Sequence, residues 1–261
     1  MSGPRVFWIS EEDRLETDGL CPVLHPGPAL SRHLVKSLRV SLGDTFRFVL
    51  PDPPVTLYQG QIRSLSPPVV SLKREPEIPE QDMAPPFDLA VALLKGDAWE
   101  DLIEPLVCLG TRSLIPLVAD RSQVRWSDDQ YFKKMGRFGV KIREASQLSG
   151  RLDRMEIPPP VTLGKVLEEP RGFVLFFDEE SGIQPIQEVL SCHPDSPLAL
   201  IGPEGGWSER ERSMVTEFEK GGKGARVGLG SLIFPGRIAP VVAASVLSYC
   251  PGGRRGERGK V

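Results

Sequence analysis

A short apolar segment, a glycine loop and a capped helix place the strongest constraint on how this chain can fold. Residues 198–201 read Leu-Ala-Leu-Ile, which is typical of a short buried strand, and the Gly-Pro pair at 202–203 ends it. The two glycines at 205–206 permit positive φ and let a ligand approach the backbone closely. Ser208, with Glu211 three residues later, has the form of a capping box, so a helix is expected to start there. Together these features predict a ligand-binding edge of an α/β sheet, although an ordinary strand-to-helix turn would show the same pattern.

Length and composition narrow the class of protein. The chain has 261 residues, 40% of them hydrophobic and 26% charged, which is enough for one large domain or two ordinary ones. No apolar run approaches the roughly 20 residues that span a bilayer, and the first residues lack the apolar core of a signal peptide. The four cysteines are scattered without metal-type spacing: Cys21, Cys108, Cys192 and Cys250. These observations predict a cytoplasmic protein with reduced thiols, no bound metal and no membrane contact.

The first 75 residues are predicted to form a small β-barrel that carries one helix. Four short segments are typical of strands, at residues 5–9, 44–50, 58–62 and 69–72, whereas residues 29–40 place Leu30, Leu34 and Leu38 on one helical face. The opposite face of this helix is basic, with Arg32, Lys36 and Arg39. These side chains either contact RNA or simply keep the helix soluble.

The pattern changes after a proline-rich segment. Residues 76–86 read as a linker, because proline removes backbone donors and stiffens the chain. Between residues 87 and 251, apolar strands alternate with helices, which predicts a mostly parallel sheet covered on both faces. One helix is predicted over residues 99–109 with Gly110 as its C-terminal stop, and a long amphipathic helix is predicted from Asp128 to about Leu148. The tail at 252–261 is rich in Gly and Arg and is predicted to be disordered.

One region carries a local excess of positive charge within an acidic chain. The formal net charge is −3, yet residues 112–154 contain ten Lys or Arg against five Asp or Glu. A phosphate-binding surface needs such an excess, and a solvated helix face would also show it. The candidate RNA contacts in this region are Arg121, Arg125 and Arg151.

The segment from Leu200 onwards, Leu-Ile-Gly-Pro-Glu-Gly-Gly-Trp-Ser-Glu-Arg-Glu, resembles a signature of the ribosomal RNA small-subunit methyltransferase E family. That family belongs to the SPOUT class and methylates N3 of a uridine in small-subunit ribosomal RNA. Other segments resemble family landmarks in the same order: His33-Leu-Val-Lys-Ser-Leu-Arg, Lys95-Gly-Asp, Leu114-Ile-Pro-Leu, Arg121-Ser-Gln-Val-Arg-Trp and Ser149-Gly-Arg. The resemblance covers nearly the whole chain.

The resemblance implies a fold, a cofactor and a set of binding residues. The fold would be a PUA-like β-barrel domain joined to a SPOUT-type α/β domain, whose parallel sheet ends in a C-terminal trefoil knot, an exception to the rule against threaded connections. S-adenosylmethionine would lie in the knot, and the site would form in a homodimer. The implied cofactor-binding residues are Phe177, Asp178, Ile201, Gly202, Pro203, Glu204, Gly205, Gly206, Leu229, Gly230, Leu232 and Ile233.

The chain departs from the family pattern in its last loop. After Leu-Gly the family usually reads Pro-Arg-Ile-Leu-Arg-Thr-Glu-Thr-Ala, whereas this chain reads Ser-Leu-Ile-Phe-Pro-Gly-Arg-Ile-Ala from residue 231. Leu232 and Pro235 therefore stand at the two arginine positions, and Arg237 stands at the glutamate position. In an earlier helix, Pro105 and Cys108 stand where the family has Lys and Glu.

Methylating N3 of uridine requires removal of its proton or stabilisation of the resulting anion, and a fixed arginine does the latter well. Arg237 is the candidate catalytic residue. Three functions are compatible with the sequence. The chain is a ribosomal RNA uridine-N3 methyltransferase that tolerates the changes, a SPOUT methyltransferase with another RNA target, or an RNA-binding homologue with impaired catalysis.

Overall fold

The structure is a computed structural model that describes residues 6–17, 21–51, 55–76, 87–170, 172–179, 184–192, 196–230 and 232–249. It divides into two compact units. The first comprises residues 1–83 and 146–154, and the second comprises residues 84–145 and 155–261. Residues 146–154 thus group with the first unit, although the sequence placed them in the second domain. Nearly all of the predicted linker and the whole of the predicted disordered tail lie outside the described residues.

The first unit contains a six-stranded sheet in the order β1-β4-β5-β6-β3-β2. β1 pairs with β4 in parallel, and all other neighbours are antiparallel. The strands are β1 (Val6–Trp8), β2 (Arg14–Glu16), β3 (Val23–His25), β4 (Thr45–Leu50), β5 (Thr56–Leu65) and β6 (Pro68–Arg74). The sequence predicted four of these six and missed β2 and β3, which are only three residues long and therefore carry little periodicity.

The basic helix of the first unit is present and irregular. It begins as α1 (Pro28–Arg32) and continues as a π-helix over His33–Ser37. Leu34 is fully buried among the aromatic and aliphatic side chains of the sheet, and the three predicted basic residues are exposed. The predicted apolar and basic faces are confirmed, but the second half of the element is not α-helical.

The second unit contains a seven-stranded sheet in which every neighbouring pair is parallel. The strand order is β11-β13-β10-β12-β7-β8-β9. The strands are β7 (Asp88–Ala92), β8 (Ser113–Val118), β9 (Val161–Thr162), β10 (Val174–Phe177), β11 (Gln184–Pro185), β12 (Leu198–Ile201) and β13 (Gly224–Gly228). The predicted parallel sheet is confirmed.

Helices connect these strands. A 3-10 turn at Glu100–Leu102 leads into α2, and the others follow in chain order. The helices are α2 (Ile103–Cys108), α3 (Asp128–Ser149), α4 (Leu163–Glu168), α5 (Ile186–Cys192), α6 (Glu209–Lys220) and α7 (Ala239–Tyr249). Gly110 ends the segment after α2 with a φ of +88°, which is the helix stop that the sequence predicted.

Both faces of the parallel sheet are buried. All five residues of β7 are buried although successive side chains point to opposite faces, so the sheet is covered on each side. Side chains of α4 and α6 join the core cluster on one face, and α7 packs against β7, β12 and α2. None of the described helices is both long and apolar enough to cross a membrane.

Candidate functional site

Three adjacent strands of the second unit end at the same edge of the sheet. β12, β10 and β13 lie side by side and run in parallel, so their carboxyl ends meet there. The predicted cofactor residues follow these ends directly: Phe177 and Asp178 on β10, Ile201 to Gly206 on β12, and Leu229 and Gly230 after β13. In open parallel sheets the crevice outside the carboxyl ends of the strands is the usual ligand site.

Trp207 fixes the glycine loop, residues 202–206, to the end of β10. Its indole is 2% exposed and stacks against Phe176 with the ring centroids 4.4 Å apart. The indole Nε1–H donates to the carbonyl oxygen of Phe177 at 2.9 Å. A Cβ on Gly202 would lie 2.7 Å from the indole ring, so only glycine fits here without movement. The loop then closes with a bond from the Gly206 N–H to the Pro203 oxygen at 2.8 Å.

The segment after β13 returns to the same loop. A Cβ on Gly236 would lie 2.9 Å from Leu94 and 3.3 Å from Cγ of Glu204, so this backbone packs against both side chains. Leu232 and Ile233 are 74% and 73% exposed, which is unusual for large aliphatic side chains. The segment after β13 therefore contacts the glycine loop through Gly236 and Glu204, and it exposes two apolar side chains at 232 and 233.

The residues present fit a cofactor with an apolar ring and polar hydrogen-bonding groups. Backbone N–H and C=O groups at three strand ends supply the polar partners, and nothing lies within 4 Å of a Cβ built on Gly230. Exposed apolar side chains at 232 and 233 are suited to cover a flat ring.

Asp120, two residues after β8, bonds to the start of α6, which follows the glycine loop. Its carboxylate accepts a 2.6 Å bond from the Ser208 hydroxyl and two bonds from the Arg210 guanidinium, at 2.7 and 3.1 Å. Its backbone N–H donates to Glu211 at 2.9 Å. The hydrogen bonds from Arg210 and then Ser208 lower the pKa of Asp120 to about 2. The predicted capping box is confirmed, since Ser208 and Glu211 exchange both bonds at the start of α6.

Arg121 lies over the glycine loop. Its Nη1 donates to the carbonyl oxygen of Gly205 at 3.1 Å, and its Cβ would lie 3.5 Å from a Cβ on that glycine. Both Arg121 and Arg125 are exposed, and the charge of Arg125 helps to lower the pKa of Asp120. Arg121 is thus placed beside the predicted cofactor loop, and Arg125 is near Asp120.

Asp178, a predicted cofactor residue, is paired within the protein. Its carboxylate accepts two bonds from the Arg212 guanidinium, at 3.0 and 3.1 Å, and its side chain is 2% exposed. This pair fixes the end of β10 to α6. The carboxylate of Asp178 is therefore occupied by arginine, and its backbone N–H bonds to the Val227 oxygen at 3.3 Å.

Arg237, the candidate catalytic residue, is exposed and lines a cleft at the start of α7. The cleft is lined by Asp97, Ala98, Asp101, Leu102, Pro105, Arg237, Ile238 and Val241. Pro105 and Arg237 both depart from the family pattern, and the structure places them on the same cleft.

The remaining predicted RNA contacts lie in the first unit. Arg32, Lys36 and Arg39 are exposed, and Arg39 has a φ of +53°. Arg151 differs, because its side chain is 4% exposed and its guanidinium pairs with Asp153 at 2.8 Å.

Sequence reasoning missed three residues that shape the site: Asp120, Arg212 and Leu94. The position of Asp120 directly after a predicted parallel strand was a usable signal, since ligand-edge residues follow such strands. No sequence signal marks the pairing of Arg212 with Asp178, because their contact depends on how α6 crosses β10.

Comparison with known proteins gives a family and a fold. Residues 82–248 match the model of the RNA methyltransferase domain family. Ribosomal RNA small subunit methyltransferase E of Bacillus subtilis is 31% identical over 169 residues, which cover 62% of this chain and 64% of that protein. The protein of the same name in Synechocystis is 28% identical over 223 residues, which cover 83% of this chain and 69% of that protein. The chain thus spans 64% and 69% of the length of these two curated relatives.

A solved structure shares the fold. Ribosomal RNA small subunit methyltransferase E from Neisseria gonorrhoeae, bound to S-adenosyl methionine, aligns with a TM-score of 0.73 at 18% identity, covering 94% of this chain and 97% of that chain. The α/β fold with its parallel sheet is therefore shared with that protein.

Proposed function

Because the chain belongs to the RNA methyltransferase domain family, we propose that it is an S-adenosylmethionine-dependent methyltransferase that acts on N3 of a uridine in small-subunit ribosomal RNA. The observation that carries the proposal is the edge where β10, β12 and β13 end, with the glycine loop fixed to it by Trp207. The cytoplasmic location predicted from the sequence is part of the same proposal.

The cofactor would be held by the backbone of residues 177–178, 201–206 and 229–230, with Leu232 and Ile233 covering its ring. When bound, S-adenosylmethionine supplies an electrophilic methyl group for in-line displacement. The chain has to position the RNA base against that methyl group. Such positioning can lower the activation free energy of the transfer by up to about 7–11 kcal/mol.

The chain also has to stabilise negative charge on the uracil ring as the N3 proton leaves. An arginine suits this task because its guanidinium stays charged and directs its donors in a fixed geometry. We assign the task to Arg237, whose side chain lies exposed at the start of α7 close to the return of the chain at Gly236.

RNA would be bound by basic side chains of both units. Arg121 bonds to the glycine loop and the charge of Arg125 acts on Asp120, while the first unit offers three exposed cations in and just after its helix. The mostly antiparallel sheet, with the one helix that the described residues of this unit form, supports a PUA-like RNA-binding role. Arg151 is better suited to a structural role, since it is buried and paired with Asp153.

A C-terminal trefoil knot and a homodimer are further parts of the proposal. After β13 the chain has to pass β10 in the sheet for α7 to pack on β7 and β12. That return path supports the knot. The exposed Leu232 and Ile233 support a partner subunit near the site.

A second candidate is an RNA-binding homologue with impaired turnover. It is favoured by the loop after β13, where exposed aliphatic side chains stand at 232 and 233 and the first cation is Arg237. On this alternative the cofactor and RNA bind without methyl transfer.

Two measurements test the proposal. Calorimetry should detect S-adenosylmethionine binding, and its absence at high protein concentration would remove every cofactor-dependent function. Methyl transfer to transcribed small-subunit ribosomal RNA, followed by mass spectrometry of nucleosides, should reveal 3-methyluridine.

The variant Arg237→Ala separates the two candidates. If Arg237 stabilises the uracil anion, this variant loses about 100-fold or more in kcat, as for removal of an oxyanion donor, and keeps its cofactor affinity. Arg154→Ala is the matched control, because it removes a cation far along the chain from this loop. Binding of both ligands with no 3-methyluridine from the unaltered protein would support the impaired homologue.

A further inference from the structure

The segment that follows β8 contacts the glycine loop and its helix through independent hydrogen bonds. Asp120 bonds to Ser208, Arg210 and Glu211, while the neighbouring Arg121 bonds to Gly205. The Ala119 N–H donates to the Ser122 hydroxyl at 3.1 Å, and the Ser122 N–H donates back to the Ala119 oxygen at 3.0 Å. The turn that carries Asp120 and Arg121 is therefore itself closed by two bonds.

The adjacent residues Asp120 and Arg121 have different roles in this arrangement. Asp120 is a positioning residue, since its carboxylate and N–H fix the start of α6 and with it the end of the glycine loop. Arg121 instead touches the loop at its centre, and its aliphatic stem lies along Gly205. Its guanidinium is exposed and has more N–H donors than the single bond to Gly205 uses.

We propose that Arg121 couples RNA binding to cofactor binding by bridging an RNA phosphate and the Gly205 carbonyl. This inference rests on the proposed function. An exposed arginine loses side-chain freedom when it holds its hydrogen bond, and that cost limits how firmly it fixes the loop in the free protein. A phosphate bound to the remaining donors immobilises the same side chain. Ordering the glycine loop then costs less side-chain entropy. RNA and the cofactor therefore each strengthen the binding of the other.

Arg125 provides the matched comparison. It is exposed, basic and four residues from Arg121, and among the described residues it makes no hydrogen bond to the glycine loop. Both arginines can attract RNA, but only Arg121 can transmit the binding event to Gly205. Arg→Lys at each position keeps the positive charge and removes the planar fork that makes two-sided bonding possible.

The experiment measures binding of radiolabelled S-adenosylhomocysteine by equilibrium dialysis, with and without transcribed small-subunit ribosomal RNA. This product cannot donate a methyl group, so binding is separated from turnover. We expect RNA to raise the affinity of the unaltered protein about fivefold, the lower end of typical coupling between sites. Arg121→Lys should lose this gain, while Arg125→Lys should keep it although its RNA affinity falls.

Three results would overturn the inference while leaving the proposed function intact: no effect of RNA on the unaltered protein, a fall in affinity with RNA, or equal coupling in Arg121→Lys. Failure of the unaltered protein to bind the nucleoside or the RNA would overturn the proposed function and the inference together.

Discussion

Gly202 and Gly136 differ in what an added Cβ would contact, so the same substitution by alanine should change stability in opposite directions. A Cβ on Gly202 would meet the Trp207 indole at 2.7 Å, whereas nothing lies within 4 Å of a Cβ on Gly136 in the middle of α3. Gly202→Ala should therefore destabilise the protein by about 1–3 kcal/mol through overpacking and weaken cofactor binding.

The control is Gly136→Ala, which should stabilise by about 0.5–1 kcal/mol because alanine restricts the unfolded chain and favours the helix. Urea unfolding measures both changes. Equal effects of the two substitutions would show that the Trp207 contact does not limit residue 202.

The lowered pKa of Asp120 predicts that the stability of the protein depends on pH. Hydrogen bonds from Arg210 and Ser208 lower its pKa in the folded protein to about 2, from the ordinary value of 3.8. A lowered folded pKa gives stability that is present above the unfolded value and is lost as the pH falls toward the folded one. Asp120→Asn should therefore be less stable than the unaltered protein near neutral pH, and the difference should shrink between about pH 4 and about pH 2.

Urea unfolding at several pH values across this window checks the expectation. Glu217→Gln is a suitable control, because Glu217 pairs with Lys220 at the exposed end of the same helix. A constant difference between Asp120→Asn and the unaltered protein would show that the carboxylate charge contributes nothing.

At the scale of single residues, the sequence located the glycine loop because a strand, two glycines and a capping box are all local patterns. It could not anticipate that the Asp178 carboxylate pairs with Arg212, or that the Asp120 carboxylate accepts a hydrogen bond from Ser208. Both contacts join residues far apart in the chain, and nothing local distinguishes these carboxylates from solvated ones.

At the scale of elements, α6 joins the loop to the sheet and depends on its first turn. Ser208→Ala removes the N-cap bond to Glu211 and also the bond to Asp120. We expect a loss of about 1–2 kcal/mol, the upper half of the range for an N-cap substitution, with a matching fall in Tm.

Ser213→Ala is the control on the same helix. Ser213 is exposed and bonds only to the Glu209 carbonyl one turn earlier, so its loss should change stability little. Equal losses from the two serine substitutions would contradict a special role for the capped turn.

Elements with clear periodicity were predicted well, and those shaped by packing were not. α3 and β12 match their predicted bounds closely because one is long and amphipathic and the other is a continuous apolar run. The π-helical turn at His33–Ser37 was missed, since its hydrogen-bond pattern leaves the apolar spacing almost unchanged.

At the scale of the whole molecule, the two units should respond differently to ligand. A cofactor at 100 times its Kd stabilises the folded state by about 2.7 kcal/mol, and the proposed cofactor-binding residues lie in the second unit. Hydrogen exchange should therefore slow at residues 176–178, 201–207 and 227–230 on addition of S-adenosylmethionine, while β4 to β6 exchange as before. Equal protection in both units would place the binding site elsewhere.

The order of strands in the parallel sheet has a consequence for biosynthesis. β12 lies between β7 and β10, so a strand from late in the unit pairs with the first strand of that unit. Leu198 pairs with Asp88, a contact of large separation along the chain, and such contacts form slowly. A growing chain has β7 and β8 outside the ribosome long before the strands that carry the glycine loop and its partner loops. The edge at which the glycine loop lies can therefore form only after β12 and β13 have been synthesised, and a fragment that ends before β12 lacks it.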